Sequence, residues 1–152
     1  MSICINSARF KKMDIYSRKK RSEIMSKVRA INTKPEVIVR QTLHKLGYRF
    51  RLHKKELPGK PDIVLSRHRA IIFVHGCFWH HHNGCTKSGF PATNAKFWKN
   101  KILRNVQRDK EIVAHLRRSG WHVMIIWECE TKDWKFIRKL HKFFERRSSV
   151  LQ

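Results

Sequence analysis

Acidic residues are scarce in this 152-residue chain. Only 11 Asp and Glu stand against 35 Lys and Arg, which gives a formal net charge of +24 and an isoelectric point near 10.8. A single domain this basic repels itself, so the composition favours a polyanionic partner over a merely soluble basic surface. Nucleic acid and an anionic membrane both qualify, but no stretch combines a basic face with a strongly apolar one, which argues against the membrane.

Long apolar runs are also missing. No segment is apolar enough to span a bilayer, and the opening stretch MSICINSARFKK lacks the apolar core of a secretory signal. We therefore expect a cytoplasmic protein, in which the four cysteines favour metal binding over disulfides. The length and a hydrophobic content of 41% predict one domain with a core of its own.

The apolar pattern predicts alternating helices and strands. Thr33–Glu36 offers a hydroxyl cap, a first-turn proline and an acid, so a helix begins there and runs to about Leu46, where Gly47 stops it. A long helix follows at 94–119, and the apolar runs 70–74 and 121–127 predict buried strands. The remaining predicted elements are a short helix at 22–30, strands at 48–52 and 62–65, and a basic helix at 131–147. We expect an α/β fold with a small mixed sheet flanked by helices.

The N-terminal region is predicted to lie outside the folded domain. Residues 1–20 form a basic tail, and residues 21–152 form the single domain. The stretch 9–21 holds seven Lys and Arg and one Asp. Such a segment is either a solvated tail or an arm that settles on DNA phosphates.

The stretch HGCFWHHHNGC at residues 75–85 concentrates the residues that bind metals. Cys77, His82 and Cys85 lie within it, and Cys129 follows the second apolar strand, so it could reach the same end of the sheet. Three thiolates and one imidazole make a closed Cys3His set that suits structural zinc. The alternative is buried reduced thiols and surface histidines.

Five other residues of this stretch have two interpretations each. One of His75, His80 and His81 could serve as a general base, because imidazole titrates near neutral pH; alternatively all three are solvated loop residues. Phe78 and Trp79 either pack into the core or form an apolar wedge driven between DNA base steps.

Three carboxylates are candidates for catalysis. Asp62 begins a strand after the PGKP turn, but such residues are commonly structural, and the following strand AIIFV offers no second acid. Glu36 is placed to favour the positive end of its helix. Asp109 falls on or beside the apolar stripe of the long helix, where a charge must be paired. Its partner is either a histidine or one of Arg104 and Arg108.

Several motifs, spaced in order, resemble the very-short-patch repair endonucleases, which are bacterial enzymes that nick mismatched DNA. The motifs are PGKPDIV, FVHGCFWHHH, FPAT…FW…NVQRD and WEC, and the resemblance runs from about Arg21 to about Arg147. It implies a restriction-endonuclease-like fold of the PD-(D/E)XK type, a structural zinc and catalytic magnesium. It also implies nicking 5′ to the T of a T·G mismatch, which arises when 5-methylcytosine deaminates.

The resemblance assigns roles to residues at matching positions. Asp62 would hold magnesium together with the backbone carbonyl of Val74, where relatives can carry Thr. His80 would be the catalytic histidine, His75 would assist it, and Asp109 would orient a histidine or a metal-bound water. The other assignments are Glu36 as an N-terminal active-site acid, Cys77, His82, Cys85 and Cys129 as zinc ligands, and Phe78, Trp79 and Met25 as the wedge.

The expected partner is double-stranded DNA with a T·G mismatch, bound by a monomer in the bacterial cytoplasm at the nucleoid, with mismatch-repair proteins as further partners and no membrane. Two alternatives stay open. A restriction endonuclease of the same fold would cut matched duplex. A non-catalytic zinc DNA-binding protein would need no magnesium and would tolerate the loss of Asp62. Asp62, His80 and Asp109 in combination favour the enzyme.

Overall fold

The computed structural model describes most of the chain from residue 31 onward. The described residues are Ser17, Lys19, Lys20, Glu23, 31–91 and 94–148, with side chains to 145. The predicted wedge residue Met25, most of the helix predicted at 22–30 and most of the tail at 1–20 lie outside these residues. Those predictions stay open.

Helices and strands alternate along the described chain. The helices are α1 (Lys34–Lys45), α2 (Ala95–Arg118), α3 (Glu128–Lys132) and α4 (Lys135–Ser148), and the strands are β1 (Arg51–Leu52), β2 (Ile63–Leu65), β3 (Ala70–His75) and β4 (His122–Trp127). None of the described helices is long and apolar enough to cross a membrane. The predicted α/β class is confirmed.

The four strands form one mixed sheet in the order β1-β2-β3-β4. The hairpin partners β2 and β3 are antiparallel, with Ile63 opposite Ile72. The strands β3 and β4 are parallel, with Ile72 opposite Met124. A parallel pair needs a long crossover, and α2 lies in the connection between these two strands. The ends of β3 and β4 therefore point to the same edge of the sheet.

Helices cover both faces of this sheet. On one face, α1 and α4 pack through residues such as Leu43 and Phe136, both fully buried. On the other face, α2 packs through Leu116. Ile71 and Ile72 are neighbours in β3 but belong to the two different core clusters, because successive strand residues point to opposite faces. This confirms that the AIIFV strand is buried on both sides.

Two predicted elements were wrong in extent. The strand predicted at 48–52 is reduced to the two residues of β1, and Tyr48 instead stacks on Phe144 with ring centroids 4.2 Å apart. The helix predicted at 131–147 is two helices, α3 and α4. They are separated around Trp134, whose φ of 55° cannot continue a right-handed helix.

Candidate active site and metal centre

An open cleft of about 1140 Å³ lies where β3 ends. It is bounded by the start of α1, the turn before β2 and one side of α2. Its walls bring together residues far apart in the sequence. The ionisable groups most relevant to catalysis are Glu36, His53, Asp62, His75, His80 and Asp109. Five of these six were candidates from the sequence, and His53 was not.

Asp62 is held in this cleft by backbone geometry. It follows a tight turn whose Gly59 has a φ of 75° and packs closely on α2, since a Cβ there would lie 2.7 Å from Ile112 Cγ2. The amide of Val74 donates a 2.8 Å hydrogen bond to Asp62 Oδ2. This contact uses only the backbone of Val74, so Val serves it as well as Thr. Whether the Val74 carbonyl binds a metal stays a prediction.

The electrostatics of Asp62 favour a bound cation. Burial raises its pKa to about 6, against the lowering effect of the Val74 hydrogen bond, and the nearby Glu36 carboxylate raises it further. His53 and Arg40 nearby lower the pKa of Asp62, but they offset these effects only in part. A carboxylate whose negative form is this disfavoured lacks compensating positive charge. A divalent cation would supply it.

Glu36 both caps the start of α1 and lines the cleft. It is buried near the start of α1, where Oε1 accepts hydrogen bonds from the Thr33 amide at 3.3 Å and the Thr33 hydroxyl at 2.8 Å. Its Oε2 accepts from Arg40 Nη2 at 2.7 Å and from the Asn32 amide at 3.0 Å. Glu36 therefore caps the helix, as one interpretation expected, and also lines the cleft. Its role as an active-site acid stays a prediction.

His53 completes this side of the cleft. Its Nε2 lies 3.0 Å from Arg40 Nη2 and 3.9 Å from Glu36 Oε2. One ligand atom each from Glu36, His53 and Asp62 lies within 4.8 Å of the others. Two carboxylates and an imidazole at this spacing fit a divalent cation. His53 could not be identified from the sequence, because nothing in a two-residue edge strand indicates where the next side chain points.

The cleft also contains a hydrogen-bonded pair of ionisable side chains. His80 Nδ1 lies 2.5 Å from Asp109 Oδ2, and Arg108 Nη2 donates to Asp109 Oδ1 at 3.3 Å. Burial raises the pKa of Asp109, but the His80 contact outweighs it and the net pKa is lowered. An ionised carboxylate only accepts, so the hydrogen atom of this contact sits on His80 Nδ1. Of the two partners considered for Asp109, the structure shows both a histidine and Arg108.

His75 supports the His80 ring rather than sharing a metal with it. The two rings stack with centroids 3.8 Å apart and an interplanar angle of 13°. Burial and the neighbouring His80 lower the pKa of His75 to about 3, so it stays neutral. Ligand atoms of His75, His80 and Asp109 do lie within 4.8 Å of one another. However, the lone pairs of parallel stacked rings lie in separate planes, and one ion cannot meet both.

The four predicted zinc ligands come together beside this site. One ligand atom from each of Cys77, His82, Cys85 and Cys129 lies within 4.8 Å of the others. His82 Nδ1 is 3.7 Å from Cys77 Sγ and 3.3 Å from Cys129 Sγ. Ordinary zinc–ligand lengths around a tetrahedral ion imply a nitrogen–sulfur separation of about 3.5 Å. The donor set and its spacing therefore fit zinc.

The protonation of the cysteine thiols also favours a bound metal ion. Burial, together with the thiols of Cys129 and Cys85, raises the pKa of Cys77 to about 12. Without a cation this thiol would stay protonated in a crowded polar cluster, whereas zinc holds thiolates. Cys85 directly follows a turn at Asn83-Gly84, in which Gly84 has a φ of 72°.

Trp127 contacts both the Cys/His cluster and the stacked histidines His75 and His80. His82 stacks on it with centroids 4.2 Å apart and an interplanar angle of 7°. His75 meets it edge-on at 5.4 Å. The last residue of β4 therefore contacts one ring of each group, and the positions of the two groups depend on each other.

The predicted wedge belongs to a larger aromatic cluster. Phe78 and Trp79 are half-buried and pack against Trp98, with centroids 5.6 and 5.9 Å from it. Phe97 lies on the far side of Trp98 and is 52% exposed. Lys101 Nζ lies 5.5 Å from the centroid of Trp79. The half-buried rings are compatible with core packing and with a wedge, and the sequence did not reveal the contributions of Phe97, Trp98 and Lys101.

Comparison with known proteins gives a consistent result. The family model described as DNA mismatch endonuclease Vsr matches residues 13–87. The type II nicking enzyme V.XorIIP of Xanthomonas oryzae pv. oryzae is 48% identical over 120 residues, which cover 79% of this chain and 88% of that protein. V.NmeAIP, a type II nicking enzyme of Neisseria meningitidis, is 44% identical over 79% of this chain and 85% of its own length. The DNA mismatch endonuclease Vsr of Escherichia coli is 40% identical over 76% of this chain and 74% of its own length.

Proposed function

The chain belongs to the DNA mismatch endonuclease Vsr family, and we propose that it nicks duplex DNA 5′ to the T of a T·G mismatch by magnesium-dependent phosphodiester hydrolysis. The observation that carries this proposal is the cleft itself. Asp62 and the His80–Asp109 pair line the same cleft. A carboxylate suited to a cation and a paired imidazole in one cleft are what hydrolysis of a phosphodiester by activated water requires.

Each residue then has a stated task. Asp62, with Glu36 beside it, would hold the magnesium, which when bound would place positive charge at the scissile phosphate. Asp109 accepts the Nδ1 proton of His80, so Nε2 can take a proton from the attacking water. His75 stacks on His80 and keeps its plane fixed.

The zinc site would be structural. Cys77, His82, Cys85 and Cys129 supply four protein ligands, which leaves no position for a substrate or water. Cys77 and His82 flank the segment that carries the catalytic imidazole and Trp79. Zinc would therefore fix the imidazole relative to the DNA-facing aromatic residue, in a restriction-endonuclease-like fold.

Duplex DNA fits the charge and the surface. A net charge of +24 supplies attraction to phosphates that weakens with salt. Trp79 also lines the cleft, and a wedge there would favour base steps that unstack cheaply, as a wobble mispair does. We propose that a monomer binds in this way, since both walls of the cleft come from one chain.

The test is strand cleavage with magnesium on a labelled duplex carrying one T·G mismatch, beside the matched duplex. We expect one nick 5′ to the T, lost in Asp62→Asn and His80→Gln and kept in Asp133→Asn, an exposed carboxylate paired with Lys135. Cleavage of both strands of matched duplex would favour a restriction endonuclease. Binding without any cleavage would contradict the proposal and favour the non-catalytic DNA-binding protein.

A further inference from the structure

We propose that His53 is a ligand of the cation held by Asp62, and that its imidazole makes this centre bind Mn²⁺ more tightly than Mg²⁺. The inference rests on the proposed function, because it concerns the same cleft and names the cation that the cleft prefers. It is carried by the approach of His53 to Glu36 and Asp62 within 4.8 Å in the cleft that His80 also lines.

The backbone turns His53 toward the cleft. The residue directly follows the edge strand β1 and has a φ of 45°, which places it in the left-handed region. Non-glycine residues adopt this conformation at a cost, and such residues cluster at functional sites. The result is a histidine with a side chain only 27% exposed, although the two residues of β1 before it are exposed.

The contact with Arg40 shows which ring nitrogen of His53 faces other polar groups. A guanidinium group only donates hydrogen bonds, so the 3.0 Å contact from Arg40 Nη2 makes His53 Nε2 an acceptor. A ring nitrogen that offers a lone pair is the atom by which imidazole binds metals. One ring nitrogen of His53 lies within 4.8 Å of ligand atoms of Glu36 and Asp62.

Arg40 would compete with a cation for His53 Nε2. Its Nη2 contacts both Glu36 Oε2 and His53 Nε2. Its Nε is buried and has no hydrogen-bond partner among the described residues, so its placement is imperfect. Binding of a cation at Asp62 would therefore need Arg40 to release His53, while its 2.7 Å contact with Glu36 can persist.

The chemistry of the donors sets the preference. Mg²⁺ takes oxygen ligands and keeps several waters, so it gains little from an imidazole. Mn²⁺ accepts carboxylate oxygen and also binds nitrogen, and it stands at the oxygen-preferring end of the transition-metal series. A site of Asp62, Glu36 and a backbone carbonyl alone would distinguish the two ions weakly. The presence of His53 predicts a clear difference.

Cation affinity is the first measurement. Free Mn²⁺ would be followed by electron paramagnetic resonance in zinc-loaded protein, with Mg²⁺ as competitor. We expect the unaltered protein to bind Mn²⁺ at least about tenfold more tightly than Mg²⁺. His53→Gln should lose that preference, with its Mg²⁺ affinity changed less than about threefold. The control His115→Gln, which alters an exposed histidine of α2, should change neither affinity. Equal weakening of both ions, or of neither, would overturn the proposal.

Direct detection of nitrogen separates a ligand from a merely structural residue. Electron spin-echo modulation of bound Mn²⁺ should show nitrogen coupling in the unaltered protein and in His80→Gln, and none in His53→Gln. No nitrogen coupling in the unaltered protein would refute the inference whether or not His53→Gln folds. Nitrogen coupling that survives in His53→Gln but disappears in His80→Gln would assign the nitrogen ligand to His80 instead and would overturn the proposal.

The two proposals can fail separately. T·G nicking with Mg²⁺ but without nitrogen coupling on Mn²⁺ would remove the role of His53 and leave the mismatch endonuclease. Nitrogen coupling from His53 in a protein that nicks no T·G duplex would keep the cation site and remove the proposed substrate. Asp62→Asn should bind neither ion, which checks that both measurements report on this cleft.

Discussion

Replacing Asp62 by Asn should stabilise the cation-free protein while abolishing nicking. Burial raises the pKa of Asp62 to about 6, which means that the fold disfavours the charged carboxylate. Asn has nearly the same shape, carries no charge and can still accept the 2.8 Å hydrogen bond from the Val74 amide. The substitution thus removes the electrostatic cost and keeps the contact.

The size of the effect follows from the pKa and depends on pH. Below pH 3.8, the ordinary pKa of the group, the carboxyl is protonated in both the folded and unfolded chains and has no effect on stability. Between pH 3.8 and about 6 only the unfolded chain releases the proton, so the free energy of unfolding falls as pH rises. Above about pH 6 the full cost is about 3 kcal/mol, from about 1.4 kcal/mol per pH unit. At about pH 5 it is about 1.5 kcal/mol.

Thermal unfolding without divalent cations tests this reasoning. At about pH 7.5, Asp62→Asn should raise the midpoint by about 6–12 °C for a domain of this size, and by about half as much at about pH 5. The exposed control Asp133→Asn should change it little. Magnesium should stabilise the unaltered protein and not Asp62→Asn. No gain at about pH 7.5, or an equal gain at both pH values, would refute the argument that Asp62 is a destabilised, cation-seeking carboxylate.

Three further predictions follow from the site. His80→Gln and Asp109→Asn should each lower the nicking rate by about 10²–10⁴, because both disturb the imidazole proposed to accept the proton of the attacking water. Single-turnover kinetics would measure the rate, and a filter-binding assay should show little change in DNA affinity. Cys129→Ser should reduce zinc, measured by a chromogenic chelator after denaturation, and lower the unfolding midpoint, whereas Cys4→Ser should keep both unchanged. Trp79→Ala should weaken binding to the T·G duplex by about 10–100-fold and binding to matched duplex much less, measured by competition at fixed salt; equal losses on both would contradict the wedge.

Much of the fold could be predicted because it depends on strong, local patterns. The runs AIIFV and HVMIIW are continuous and apolar, as strands buried on two faces require, and the structure places them side by side as β3 and β4. The break between α3 and α4 was missed because it depends on Trp134, which has no sequence signal for a positive φ. His53 also has a positive φ without a sequence signal for it, so the direction of its side chain could not be predicted either.

In the candidate site, too, groupings that depend on short sequence spacing could be predicted, whereas contacts that depend on packing could not. Cys77, His82 and Cys85 are close in sequence, so their grouping could be predicted from spacing, and Cys129 could be added because it follows the strand parallel to β3. The pairing of Asp109 with His80 joins residues 29 positions apart. The sequence narrowed its partner to a histidine or an arginine, and only the packing of α2 beside the end of β3 decided which atoms meet.

One stretch of eleven residues, 75–85, holds three of the four proposed zinc ligands, the proposed catalytic imidazole of His80 and the proposed wedge, and this has a physical consequence. His80 lies between Cys77 and His82 in the sequence, and its position depends on Asp109 from α2 and on the stacked His75. His75 and His82 both contact Trp127. A metal that holds His82 would therefore also restrain Trp127, His75 and, through them, the plane of His80. On this proposal zinc would matter for catalysis without any contact with the DNA, because the imidazole that takes the proton of the attacking water would be held by the same rings that the metal restrains.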